Sequence, residues 1–514
     1  MDLALDLFKN LDLLKMLAPS GLELFGVEDP VDQFSEYLEA CSHRTLDDDE
    51  KSELLAELLE SLSELKIDSN GGDPDARDKI QAIYDLLDDA IEGHLLQVPD
   101  LMMMGKILSD AGWVIPDSLK QATAKALEAS PPEMEGDTEA DLVSSLLGVA
   151  DQAGQNPFDV YEYLNSVLAC FPPEAAAMLL SVLIVANNAV VNQAVAGFLL
   201  HRDAAIAQSG AGALAASASK NPVQSSLIER LVRMRPWLPQ DRQAHIDTAI
   251  KAMRLNALPP EKTELPKIIK CYASVCDGSG TRSLFVTRRI GGHYQIAAVM
   301  MKPAGVADAM VISELPKSEM DAIVREMKSS LPVMEMDLAG ISRLLAFAIA
   351  DNFTQETPPP FKLLEVVESL GIGPLHPDHA QAEEIINCLL AGLPAEQTNS
   401  TAVAKAHADI YDSEFSYHWF EAGEVVEALL YPIKSSKQRV AKLLKVYLPE
   451  RRVFWARQCA ISALVMHGDG KAPDASWKQL ALVGRDIASD LPLNQIPLMK
   501  KIAEASVQAF EQRF

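Results

Sequence analysis

The sequence predicts a mainly α-helical chain with a small α+β module near its middle, and three observations carry that reading. Leu and Ala abound while aromatic residues make up only 6% of 514 positions, a balance that favours helix over β-sandwich. Apolar residues recur at helical spacing through most of the chain. Between residues 266 and 315 the pattern switches to short alternating runs broken by Asp277-Gly278-Ser279-Gly280 and Gly291-Gly292, the punctuation of hairpins. An apolar share of 48% and a charged share of 23% are those of a globular chain, and the length allows roughly three domains.

The first segment, residues 1–128, reads as an acidic helical domain. Thr45 with Asp48 makes a capping-box start. Leu54, Leu55, Leu58, Leu59, Leu62 and Leu65 then form one stripe opposite glutamates, which ends at Asn70-Gly71-Gly72 and Pro74. Helix patterns follow in DARDKIQAIYDLLDDAIEGHLL and PDSLKQATAKALEA. Residues 129–138, polar and proline-bearing, read as a linker. Thr138 to Asp141 caps the next helix. Asn156-Pro157 and Asn221-Pro222 each supply an N-cap residue followed by proline at the first helical position, where its missing N–H costs nothing. Ala175–Ala186 is the longest apolar run. It falls short of the ~20 residues a membrane span needs, and reads as one buried helix.

In HRDAAIAQSGAGALAASA, residues 201–218, a short acidic turn leads into a helix on which Ala205, Ala211, Ala213 and Ala215 would let neighbouring helices approach closely. This stretch resembles the second helix of a HEAT-type repeat, and ERRVFWARQCAISALVMHG near the C-terminus resembles it more loosely. The resemblance implies a HEAT-like helical stack over 139–257 that presents extended binding surfaces. The complete fold expectation is a HEAT-like helical repeat or bundle scaffold with the α+β module, an antiparallel meander plus helix, set in its middle.

That module spans 266–357. Its strand candidates are Ile268–Val275, Arg282–Arg289, Tyr294–Met301 and Ala307–Ile312. Its helix is PKSEMDAIVREMKSS, where Met320, Ile323, Val324 and Met327 share a face. Residues 361–514 return to amphipathic helix, among them SYHWFEAGEVVEALLYPI and SKQRVAKLLKVYL, and read as a C-terminal helical domain.

Charge is distributed unevenly. Residues 1–150 hold 34 Asp and Glu against 10 Lys and Arg, a net of −24, so only −4 of the chain's −28 belongs to the remainder. Such a segment repels nucleic acid and anionic lipid at long range; it suits a basic protein partner, or simply keeps the chain soluble. The N-terminus carries acids inside its apolar run instead of a basic region, so no signal peptide is predicted. Six scattered cysteines without a CxxC spacing then fit free buried thiols, and a cytoplasmic location.

Candidate chemistry is sparse. Asp277-Gly278-Ser279-Gly280 has strands on both sides, which fits a hairpin turn and not a phosphate loop. Cys271 and Cys276 lack a second cysteine pair and read as core thiols. His376 and His379 flank Pro377 at a helix start, a routine setting for exposed histidine. No catalytic, cofactor or metal motif is predicted.

What stands out is a basic island: across 261–302, Lys262, Lys267, Lys270, Arg282, Arg288, Arg289 and Lys302 face only Glu261, Glu264 and Asp277. Arg282 and Arg288 share strand parity, with Phe285, His293 and Tyr294 nearby. Lys267, Lys270, Arg282, Arg288, Arg289, Tyr294 and Lys302 are therefore the expected interaction residues, with the arginines exposed. The same cations could equally pair with the chain's own acidic first segment. The function expected is a non-enzymatic protein-interaction scaffold or adaptor that binds a protein partner and no membrane. The alternative is a nucleic-acid-associated protein whose basic sheet stacks single-stranded bases on Phe285 or Tyr294.

Overall fold

The computed structural model describes residues 29–43, 48–70, 73–129, 155–185, 188–260, 266–413, 416, 418–468 and 476–513. Thr45, most of the 129–138 linker and the Thr138–Asp141 cap lie outside them. The described chain forms two compact units, one of residues 29–235 and 240–260, the other of 236–239 and 266–513.

In the first unit every element among the described residues is helical: α1 (Pro30–His43), α2 (Asp48–Asn70), α3 (Pro74–Glu92), α4 (Val98–Asp110), α5 (Asp117–Ala129) and α6 (Pro157–Leu168). They are followed by α7 (Pro173–Val185), α8 (Ala189–Val195), α9 (Ala204–Ala218), α10 (Ser225–Met234) and α11 (Gln240–Arg254). Prolines open α1, α3, α6 and α7. Asp73 and Asn156 cap α3 and α6 by accepting from the amides of Asp75 and Phe158, each at 3.0 Å, as residues before an N1 proline can do. The α2 stripe buries Leu58, Leu62 and Leu65. Trp113 donates from Nε1 to the Leu62 carbonyl at 3.0 Å, tying the α4–α5 connection to α2.

Three local expectations need correction here. Asn221-Pro222 does not start a helix. Val223 first forms a parallel bridge with Ala257, its amide donating to Asn256 at 2.9 Å, and α10 begins only at Ser225. The apolar run is buried on one face only over its described residues 175–184, since Met178 is 65% exposed. On α9 the packed residues are Ile206, Ala207, Gly210, Ala211, Leu214 and Ala218, which recur at helical spacing; Ala205 lies on the outer side.

The second unit centres on an antiparallel sheet of order β4-β3-β2-β1-β5, with β1 (Lys267–Ser274), β2 (Arg282–Ile290), β3 (His293–Lys302), β4 (Gly305–Leu315) and β5 (Val333–Met336). The first four strands lie where the alternation placed them. The fifth, four residues long, carries no legible period. Two-residue turns at Gly291-Gly292 and Pro303-Ala304 fix the register, Ile290 opposite His293 and Lys302 opposite Gly305.

Because side chains alternate across a strand, the register sorts them onto two faces. Tyr272, Phe285, Ala298 and Met310 form one row, covered by α12 (Lys317–Ser330) through Met320, Ile323 and Met327. Cys271, Val286, Ala297 and Val311 form a row on the other face. There α13 (Leu338–Thr354) and α14 (Lys362–Ser369) pack on the sheet.

The remaining helices are α15 (Ala382–Leu390), α16 (Ser400–Tyr411), α17 (Glu424–Leu430), α18 (Ser436–Lys442), α19 (Arg452–His467), α20 (Ser476–Ala488) and α21 (Pro497–Arg513). Of these, α19 is buried over most of its length and also packs on β1 and β5. The chain is mainly α with one small central sheet. Among the described residues no helix is long and apolar enough to cross a membrane.

Candidate functional site

Lys262, Glu261 and Glu264 lie outside the described residues, and the structure divides the rest of the basic island into three places. Lys267, Arg289 and Tyr294 lie opposite one another across β1, β2 and β3, and therefore side by side at one end of the sheet. Lys267 and Arg289 are exposed and Tyr294 half-buried. The Arg289 guanidinium sits 5.8 Å from the Tyr294 ring centroid and donates from Nε to the Gly291 carbonyl at 3.0 Å. A bulge between Ile268 and Lys270 brings Lys270 onto the same face as Lys267, where it pairs with Glu335 of β5. Lys302 belongs to the opposite end, beside Met301 and Arg282, roughly 23 Å away at 3.3 Å per residue along β2.

Arg282 and Arg288 are not exposed. Both point to the face under α13 and α14 and retain 7% and 5% of their surface. Parity put them on one side of β2, but that side is covered. Arg282 donates from Nη2 to Oε1 of Gln458 on α19. Asp351 of α13 lies near enough to interact electrostatically with Arg282, and pairs directly with Arg457 at 2.8 Å. Two guanidinium groups therefore share one nearby carboxylate. Burial pushes the Arg282 pKa down, and raises that of Asp351 despite the neighbouring arginines. Arg288 is pushed down to about 10 by burial, with Glu365 of α14 acting the other way. The Nε atoms of both arginines are buried without a hydrogen-bond partner. Phe285, expected as a stacking ring, is 2% exposed in the core beneath α12.

Asp277-Gly278-Ser279-Gly280 is a turn, and it is built into the helical layer. Asp277 Oδ1 accepts from the amides of Ser279 and Thr281 at 2.9 and 2.8 Å and from the Ser279 hydroxyl at 2.7 Å. Gly280 takes φ +84°, a region glycine enters freely. Gly278 lies against the His418 carbonyl, so closely that a Cβ would come within 1.8 Å of its oxygen. Trp419 Nε1 donates to the Cys276 carbonyl at 3.1 Å, and Ser462 Oγ donates to Cys276 Sγ at 3.2 Å. Cys271 and Cys276 are buried free thiols. Burial raises both pKa values, that of Cys271 to about 11 and that of Cys276 against the opposing pull of Arg282.

His376 and His379 are exposed and precede α15. His379 meets the Phe353 ring edge-on at 5.7 Å. Among the described residues no group of three His, Cys, Asp or Glu side chains could hold a metal ion.

Two features escaped the sequence. Glu421, 7% exposed, accepts from Arg451 Nε and Trp455 Nε1, both at 2.8 Å, and from Tyr447 OH at 3.2 Å. Its donors are supplied from 26 to 34 positions away in the chain, with no local pattern to mark them. In the first unit a cavity of about 190 Å³ lies between α8, α9 and α10, lined by Asn192, Gln193, Ser217, Asn221 and Gln224 over Leu214 and Leu227. Gln193 bridges Gln224 and Arg230, accepting from Arg230 Nη1 at 2.5 Å. The Arg230 guanidinium stacks 4.6 Å over Phe158.

No curated protein matches the chain, and no solved structure does. Two family models match parts of it: residues 172–256 are similar to the Y4lR second domain, and residues 383–511, which include Glu421 and its partners, to the Y4lR C-terminal helical domain.

Proposed function

We propose that this chain is a non-enzymatic, cytoplasmic protein-interaction scaffold. On this reading residues 139–257, α6 to α11 among the described residues, act as a HEAT-like stack, and the exposed end of the central sheet is a docking point for a protein partner. The observation that carries it is the row Lys267, Arg289 and Tyr294, two cations and a ring side by side on a sheet whose faces are otherwise covered by helices. A rigid sheet end that presents a cation against a ring suits protein recognition, where Arg and Tyr anchors dominate. Nucleic-acid binding by this sheet is less well supported, because two of the three arginines and Phe285 lie inside.

The test is quantitative affinity purification of the full chain against K267E/R289E, which should keep the wild-type melting temperature because both side chains are exposed. The expected result is a partner enriched with wild type and reduced about tenfold, 1.4 kcal/mol, with the double variant. An unchanged set of co-purifying proteins would move the docking site off the sheet.

A further inference from the structure

A second surface, on the first unit, has a chemistry of its own. Residues 200–256 carry Arg202, Lys220, Arg230, Arg233, Arg235, Arg242, Lys251 and Arg254 against only Asp203, Glu229, Asp241 and Asp247, a reversal of sign within a chain of net −28. Part of that charge borders an open groove of about 600 Å³ between α10 and α11. Asp247, Ile250, Lys251 and Arg254 follow the i, i+3, i+4, i+7 spacing and so form one face of α11, and Leu255 follows directly after its end. Val232 and Arg235 of α10 face them.

The groove's polar groups are not equivalent. Arg235 is gripped by both oxygens of Asp247, Nε to Oδ1 at 2.5 Å and Nη2 to Oδ2 at 2.8 Å. Lys251 and Arg254 are exposed, and neither forms an ion pair among the described residues. Between and beside them the floor is apolar: Val232 is half-buried, Ile250 buried, and Leu255 keeps 82% of its surface. An exposed leucine flanked by two unmatched cations is an incomplete surface. It lacks an apolar residue to cover the leucine and carboxylates to meet the cations.

We infer that this groove takes an acidic amphipathic helix of a protein partner. Carboxylates three or four positions apart on such a helix match the spacing of Lys251 and Arg254, and an apolar residue between them seats on Ile250 and Leu255. Nucleic acid fits less well: no aromatic ring lines the groove for stacking, and two free cations neutralise few phosphates. The inference rests on the interaction reading above but concerns a different surface from the sheet end.

The test uses the full chain and a fluorescein-labelled synthetic helical peptide built on a repeated Leu-Glu-Glu-Leu-Ala-Glu-Glu heptad, with anisotropy as readout. Binding by wild type is expected to fall about tenfold in K251E/R254E and in L255S, and to be unchanged in K267E/R289E. L255S removes no charge and alters a residue already in solvent, so it separates loss of the groove from loss of the helix, which circular dichroism monitors. A peptide with every Glu replaced by Gln should bind about tenfold more weakly. No binding by wild type, equal binding by K251E/R254E, or displacement of the peptide by a single-stranded oligonucleotide would each overturn the inference. Loss of sheet-end partners in K267E/R289E with the peptide still bound separates the two surfaces, so either can fail without the other.

Discussion

Replacing Gly278 by alanine probes how the sheet is held in the second unit. The added Cβ would lie 1.8 Å from the His418 carbonyl oxygen, 2.9 Å from its carbon and 3.4 Å from the Phe420 nitrogen. These are backbone atoms, so no rotamer change relieves the clash. Either the β1–β2 turn withdraws or the 418–420 segment moves. Moving that segment displaces Trp419, which is fully buried and donates to the Cys276 carbonyl. Overpacking of a core costs ~1–3 kcal/mol, and a backbone clash belongs at the top of that range. Loss of the Trp419 hydrogen bond adds about 1 kcal/mol. The expected destabilisation is therefore about 3–4 kcal/mol, which for a unit of this size lowers the melting temperature by roughly 6–16 °C.

The control is Gly292→Ala in the β2–β3 turn, where a Cβ meets nothing within 4 Å; it should stay within about 0.5 kcal/mol of wild type. Thermal melts and urea titrations of both variants decide the matter. If Gly278→Ala melts with wild type, the turn is not wedged against the helical layer, and the account of why this glycine-bearing stretch occurs here fails.

Four further outcomes follow from the same geometry. Asp351→Leu leaves Arg282 and Arg457 without their shared carboxylate and should cost about 2–3 kcal/mol, below the range for a fully buried pair because both ion-pair partners keep about a fifth of their side-chain surface; adding Arg282→Met should restore part of that loss in a urea double-mutant cycle. Asn352 donates to and accepts from Val306 on β4, at 3.3 and 2.7 Å, so Asn352→Leu should cost about 2 kcal/mol and increase light scattering as the strand edge opens. Glu421→Leu strands Arg451 and Trp455 Nε1 and should destabilise by about 3 kcal/mol in urea. The Asp247 carboxyl is held below its usual value of 3.8 by hydrogen bonding to Arg235. Its contribution is thus fully present above the unfolded pKa and lost as pH falls through the lower folded one, so Asp247→Asn should reduce the drop in urea midpoint between about pH 5 and about pH 3.

The sequence disclosed period but not burial direction. Four strands were legible because Ile268–Val275 and its successors alternate between glycine turns, and α12 was legible because Met320, Ile323 and Met327 fall on one face. On β2, however, each side carries both polar and apolar residues: Arg282, Leu284, Val286 and Arg288 on one, Ser283, Phe285, Thr287 and Arg289 on the other. Alternation that is equally mixed on both sides is what a strand covered on both faces produces, and it gives no sign of which side water reaches. The partners that turn Arg282 inward come from α13 and α19, 69 and 176 positions later in the chain. A guanidinium on a strand thus reads as surface until the helix that brings its acceptor is placed. Asn221-Pro222 shows the same limit at short range. Its cap chemistry was sound, but the Val223 amide finds the Asn256 carbonyl first, and a backbone bond to a distant loop outcompetes a local helix start. Signals that close within one turn of chain survive folding unless a longer-range backbone bond displaces them, as at Asn221. Those that depend on which face is covered are decided by helices the local sequence does not contain.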